Sequence, residues 1–293
     1  MDQVKQPLWR HPGFLLLYSI GATMLAIALS SGLAHIAPSH KAGWGAVVFA
    51  CGVAAIFVAV YVAFSRFLEG RPASEFSLAP AGIELAAGIV TGVVIFSLIV
   101  GVIAVFGGYR VIGYRDASVL VPALAVAILS GFTEEIFFRG FFFRLTEKWL
   151  GTWAALGLSA ALFGALHLNN PNATLLAAVA IMLEAGIMLA AIYMITRRLW
   201  AAIGVHAAWN FTQGGIYGIP VSGGEMDGIL RPDIRGSDLL TGGAFGAEAS
   251  LPAIVVATAF GLLLLYVAWR RGQFMRPLWK RTPASSNVGD TFD

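Results

Sequence analysis

Charged residues are scarce in this chain: Asp, Glu, Lys and Arg make up 12% of its 293 residues. A water-soluble domain carries roughly 25%, so there is too little polar surface here to cover a globule in water. Cysteine is rarer still. Cys51 stands alone inside an apolar segment, which excludes an internal disulfide and reads as a buried small hydrophobe. No stretch repeats at a fixed period, and no soluble domain stands apart from the apolar runs. The His-Glu-x-x-His helix of many zinc peptidases is missing, as are the paired broken helices of a carrier.

What the chain has in abundance is hydrocarbon. It is 58% hydrophobic with a mean hydropathy of +0.79, and its apolar runs of about 20 residues match the bilayer core. The runs are too long and uniform for barrel strands, and backbone in lipid must satisfy its own hydrogen bonds. The expectation is therefore an all-α polytopic membrane protein with about eight transmembrane helices, near 13–37, 42–65, 83–106, 119–143, 153–169, 174–196, 199–217 and 251–269. The first run exceeds a signal-peptide core and should remain uncleaved. Most of the 34 glycines lie among Ala, Val, Leu and Ile, where small residues let membrane helices approach closely.

The domain reading is simple: a cytoplasmic segment 1–12, a single transmembrane domain 13–269 and a basic, then disordered, tail 270–293. The net charge of +3 and pI of 9.2 do not signal nucleic acid, because the cations sit between apolar runs. They fit orientation and contact with anionic lipid. With the N-terminus inside, Lys5, Arg10, Arg66, Arg71, Arg144, Lys148, Arg197, Arg198 and the tail residues Arg270, Arg271, Arg276, Lys280 and Arg281 face the cytoplasm. Only Lys41, Arg110, Arg115, Arg231 and Arg235 face outward. That imbalance predicts an integral plasma-membrane protein with both termini cytoplasmic. The 218–250 loop, rich in Gly, Asp and Glu, reads as a mobile outer cap or a linker.

Three polar constellations interrupt the apolar runs. Glu134 and Glu135 lie in the run from Val119 to Phe143, with Arg139 one turn on. Ionised side chains in hydrocarbon are costly and mark functional sites. Residues four apart share a helix face, so Glu135 can pair with Arg139 and pin the helix. Glu134 is rotated about 100° away and has no such neighbour; desolvation would prepare it as a general base for water. His167 shares a face with Phe163 at the end of the fifth run. His206 and Asn210 share a face of the seventh, a pair of donors suited to the oxyanion of a tetrahedral intermediate. Packing alone would explain any one pair; the three in order argue for chemistry.

The segments Glu134-Glu135-Ile-Phe-Phe-Arg139, Phe163-Gly-Ala-Leu-His167 and His206-Ala-Ala-Trp-Asn210 resemble, in order, the EExxxR, FxxxH and HxxxN motifs of the CAAX-protease and bacteriocin-processing (Abi) intramembrane peptidases. The resemblance covers 119–212 and extends to type II CAAX prenyl endopeptidases. It implies an eight-helix core and hydrolysis of a peptide bond in a membrane-associated peptide or protein, lipidated or not. It also implies that Glu134 activates water held by His167, while His206 and Asn210 stabilise the oxyanion; Glu135 and Arg139 complete the site. The rival reading is a non-enzymatic immunity or scaffold protein, or a proton-coupled carrier, using the same buried charges.

No cofactor is favoured. Zinc is the alternative, with Glu134, His167 and His206 as its ligands, but a base cannot easily serve as a tight ligand as well. Glu184, ten residues into the sixth run, reads as a hydrogen-bonding contact to a neighbouring helix in preference to a second acid. Asn169, Asn170 and Asn172 flank Pro171 as a turn, with Asn169 near enough to orient His167. Depth leaves a tension. At ~1.5 Å per residue His206 lies roughly 10 Å from the start of its run, whereas Glu134 lies about 21 Å from Lys148. The groups meet only if helices tilt or the seventh run begins earlier.

Overall fold

The computed structural model describes residues 7–36 and 43–281. Helices α1 (Pro12–Ile36), α2 (Gly43–Ala63) and α3 (Ala81–Val105) fall within two or three residues of the first three expected runs. α4 (Leu120–Glu135) continues without a break through a π-helical stretch, Ile136–Phe143, into α5 (Arg144–Leu150). Next come α6 (Thr152–Leu166), α7 (Leu175–Ile181), α8 (Ile187–Thr196) and α9 (Trp200–Asn210). A short α10 (Asp238–Thr241) and the long α11 (Leu251–Arg270) complete the helices. The chain is nearly all-α, as expected.

Helix appears at all eight expected positions, but among the described residues six helices are long and apolar enough to cross a membrane. The two shorter ones are α6 and α9, which carry Phe163, His206 and Asn210 and deliver His167. Their polar positions and early ends reduce them below a full span; they are lined up by neighbours instead. The contact between α3 and α9 shows how. A Cβ on Gly88 would lie 2.3 Å from the carbonyl oxygen of Ala201, and one on Gly204 would lie 2.6 Å from that of Leu85. Neither position admits a side chain, so the backbones touch.

The depth tension is resolved on the α4 side. α9 starts at Trp200, where it was expected. The helix from Ala117 to Leu150, however, has 34 residues, about 50 Å at 1.5 Å per residue against a hydrocarbon core of ~30 Å. Lys148 therefore marks the end of an overshooting helix, not the membrane boundary. Its last turns enter an ion-pair layer. Glu69 accepts from Arg144 at 2.7 and 2.8 Å and pairs with Arg71 at 2.9 Å. Glu147 pairs with Arg197, and Glu84 with Arg198. The start of the tail joins them: Arg281 donates to the carbonyls of Glu147 and Lys148 at 3.1 and 3.0 Å. Five of the cations expected in the cytoplasm, Arg71, Arg144, Arg197, Arg198 and Arg281, are thus held by ion pairs or hydrogen bonds. Residues 282–293 and 37–42, including the tail expected to be disordered, lie outside the described residues.

Two expectations need correction. The segment 218–250 is not a loose cap or linker. Its strand β2 (Leu230–Ile234) pairs antiparallel with β1 (Tyr109–Tyr114), Tyr109 opposite Ile234 and Tyr114 opposite Leu230, with a bulge between Val111 and Gly113. Ile219, Val221, Phe245, Ala247 and Ala249 are buried. Hydropathy is silent about pairing between two polar connections, so no strand was expected. Cys51, in turn, is exposed on the outer face of α2; an apolar helix that faces lipid gives a small residue no reason to turn inward.

Candidate active site

Glu135 and Arg139 are completely buried, and Arg139 Nη1 reaches Glu135 Oε1 at 2.8 Å. The expected ion pair forms, and each member does more than was read from the sequence. Arg139 Nη2 donates to the carbonyls of Ala185 and Gly186 at 2.9 and 3.4 Å, joining α4 to a π-helical stretch, Met182–Gly186, between α7 and α8. Glu135 Oε1 also receives His206 Nδ1 at 2.7 Å. An ionised carboxylate only accepts, so the Nδ1 proton points at Glu135 and the Nε2 edge is turned to the site. There Glu134 Oε2 stands 3.9 Å from His206 Nε2 and has no hydrogen-bond partner of its own. The two adjacent acids differ in geometry: Glu135 Oε1 is held by both Arg139 and His206, whereas Glu134 has no such pair of partners.

Phe163 organises the histidines. Its ring lies 4.8 Å from that of His167 and 6.2 Å, edge-on, from that of His206, with the Arg139 guanidinium 4.7 Å over it. His167 Nδ1 donates to the Phe163 carbonyl at 2.7 Å. A carbonyl only accepts, so a neutral His167 presents a lone pair at Nε2. This bond, and not Asn169, orients the ring: Asn169 Nδ2 caps the Leu166 carbonyl at 3.1 Å. The expected turn is present, with Asn172 at a left-handed φ of 56°.

Asn210 does share a face with His206, but its Nδ2 donates to Ser130 Oγ at 2.8 Å. Ser130 is one turn before Glu134 on the same face of α4, a spacing that sequence reading could have used. Two π-helical stretches adjoin the motif residues, Ile136–Phe143 after Glu135 and Phe211–Ile216 after Asn210, and a third, Met182–Gly186, carries Glu184. Such wide turns recur at functional sites.

The site has two openings of different character. Glu134 lies in the wall of an apolar cleft of about 580 Å³ between α1, α2 and α4, lined by Met24, Ile27, Phe57, Phe137 and Phe138. On the other side, His167, His206 and Asn210 line a cavity of about 40 Å³ together with Glu184, Ser222 and Glu248. The preferred reading of Glu184 as a helix-to-helix hydrogen bond is overturned, since both of its carboxylate oxygens are buried without a partner. Glu248 went unnoticed in the sequence because it sits in a polar loop. Its Oε1 accepts from the backbone N–H of Ser222, and burial pushes its carboxyl up to about 7 against the hydrogen bonds of Gln213 and Ser222.

Zinc does not fit these side chains as they stand. Ligands must lie at about 2 Å from the ion, and among the described residues no group of three His, Cys, Asp or Glu is placed to hold a metal. The Nδ1 bonds of His167 and His206 do not themselves weigh against an ion, because a ligating histidine commonly places its other ring N–H on a carbonyl or carboxylate.

Residues 116–212 match the family model described as type II CAAX prenyl endopeptidase Rce1-like. The match contains all three constellations in order. Across that core, about a third of the chain, the sequence is similar to the CAAX-protease family. No curated protein and no solved structure matches the chain. The family match and the six apolar helices among the described residues support an integral membrane protein of the CAAX-type intramembrane protease kind.

Proposed function

We propose that the chain is an intramembrane endopeptidase in which Glu134 activates water to hydrolyse a peptide bond in a membrane-associated, lipidated substrate. The observation that carries the reading is the position of Glu134. It borders an apolar cleft on one side and faces His206 at 3.9 Å on the other, with a carboxylate oxygen that nothing else engages. An acyl or prenyl chain in the cleft would bring the adjoining peptide bond to the base.

Glu134 takes a proton from water as the oxygen attacks the scissile carbonyl, then gives that proton to the departing amine as the C–N bond breaks. The Nε2 lone pair of His167 accepts the second hydrogen of that water and holds it. His206 donates to the developing oxyanion from Nε2, which it can do only as an imidazolium because Nδ1 already serves Glu135; two flanking carboxylates support that state. Asn210 supplies the second donor once its amide turns from Ser130. No step passes through a metal. The charge distribution of the connections supports an orientation with both termini cytoplasmic. Cleavage of a quenched lipidated-peptide library by the purified protein tests the proposal, with Glu134→Ala as control. Cleavage that the alanine variant retains, or none with any peptide, would sink it.

A further inference from the structure

Glu184 and Glu248 lie behind the histidines, and the chemistry above leaves them unused. Glu184 comes from the π-helical stretch 182–186 and Glu248 from the turn before α11; they are 1% and 4% exposed. Three of their four carboxylate oxygens are buried with no hydrogen-bond partner. The two are close enough to repel one another. The other titratable groups facing the shared cavity are His167 and His206. Arg139 approaches the same turn but is spent on Glu135 and two carbonyls. Asp238 of α10 lies against Gly243, and α7 and the first half of α11 carry no titratable side chain. Two bare carboxylates cannot both stay ionised at low cost in such a place. A cavity of about 40 Å³ admits a few waters, each needing roughly 10–15 Å³ by the same measure, and no peptide side chain.

We propose that Glu184 and Glu248 are a proton-sharing positioning pair, joined through cavity water to His167 and His206. One proton resides on the pair, donated by one carboxyl and accepted by the other or by the water between them. The water bridges the pair to the imidazole side of the cavity, so the shared proton sets the charge beside His206, while the Nε2 lone pair of His167 stays with the nucleophilic water. Two buried acids thereby become a support for the imidazoles that neither the paired carboxylates nor the cleft provides. The kinetic consequence rests on the peptidase reading; the shared proton does not.

The test uses the full chain in detergent or lipid. Infrared spectra of the parent at pH 7 should show a protonated carboxyl band that the double variant E184Q/E248Q lacks. A parent spectrum identical to that of the double variant in this region overturns the pair, whether or not cleavage is ever detected. In the peptidase assay, E184Q and E248Q should each move the acid limb of the kcat/KM profile by about one unit or more, the scale of coupled titration. Profiles that superimpose on the parent apart from amplitude would reduce both residues to packing and overturn the positioning role.

Discussion

His206 Nδ1 and Arg139 Nη1 converge on the same oxygen of Glu135, at 2.7 and 2.8 Å. One carboxylate therefore fixes both the helix that carries the base and the ring that faces it. Adjacent residues on a helix point about 100° apart, so Glu135 can pair with Arg139 and His206 inside the assembly while Glu134 is turned toward the cleft. Adjacency in the sequence provides a support and a reactant from a single turn.

Glu135→Gln should test that support. The amide keeps the volume but removes the charge between Arg139 and His206, so the ring loses the carboxylate that orients it and supports its imidazolium form. We expect kcat to fall by about 10²–10⁴, the range of acid–base contributions, with a smaller change in KM. Steady-state kinetics on the reconstituted enzyme would decide it; a rise in KM alone would assign Glu135 to substrate binding.

Glu134→Gln and Arg139→Ala should fail in different ways. The first removes the base at nearly constant volume, abolishing cleavage with normal expression and melting temperature. The second strands Glu135 without its counter-charge, a loss of roughly 3–5 kcal/mol for a broken buried pair. It should lower the yield of folded, monodisperse protein. Size-exclusion profiles beside activity separate the two, and near-normal turnover in Glu134→Gln would refute the assignment of the base.

Much of this was legible in the sequence, and the exceptions share a cause. Apolar runs located helix at all eight expected positions, and among the described residues six of these are long and apolar enough to cross a membrane. Helical spacing placed Glu135 on Arg139, His167 on Phe163 and Asn210 beside His206. Spacing within one helix says nothing about what a neighbouring helix offers. The Glu135–His206 bond, the Ser130–Asn210 bond and the joining of α4 to Ala185 all cross between elements, and none was foreseen. Glu248 is the extreme case: in a loop of mixed polarity its carboxylate looks solvated, and only the folding of 218–250 over α9 buries it.

Chelation should leave activity intact. Purified active protein is expected to contain well under one zinc per chain and to survive prolonged exposure to a chelator. Elemental analysis beside the peptide assay checks this. Stoichiometric zinc, lost together with activity and restored on re-addition, would instead make Glu134, His167 and His206 ligands of a site that assembles around the ion.

Acid should loosen the ion-pair end of the molecule first. Burial alone would raise the Glu69 carboxyl, but hydrogen bonds from Arg144 and Arg71 outweigh it and hold the group at about 2 instead of 4.5. A carboxyl depressed in the folded state contributes stability that is complete above the unfolded value and is lost as pH falls toward the folded one. The melting temperature in detergent should therefore decline between pH 4.5 and 2. In Glu69→Gln the protein should start lower and show a shallower decline. Parallel curves for parent and variant would place the acid sensitivity elsewhere.

The final expectation concerns Asn210, whose amide donates to Ser130 at 2.8 Å and must turn to reach an oxyanion. A donor that acts mainly in the transition state lowers turnover and spares affinity. Asn210→Ala should reduce kcat by roughly 10²–10³, the range of a lost oxyanion donor, with KM nearly constant. Asn210→Asp should be at least as poor, because a carboxylate offers no donor and repels the oxyanion. Ser130→Ala separates this role from simple packing. It removes the resting partner of the amide but not the donor, so turnover should change far less than in Asn210→Ala. His206→Ala should repeat the Asn210→Ala signature. If both alanine variants raised KM and left kcat alone, the pair would be a substrate contact, and the catalytic groups would reduce to Glu134 and His167.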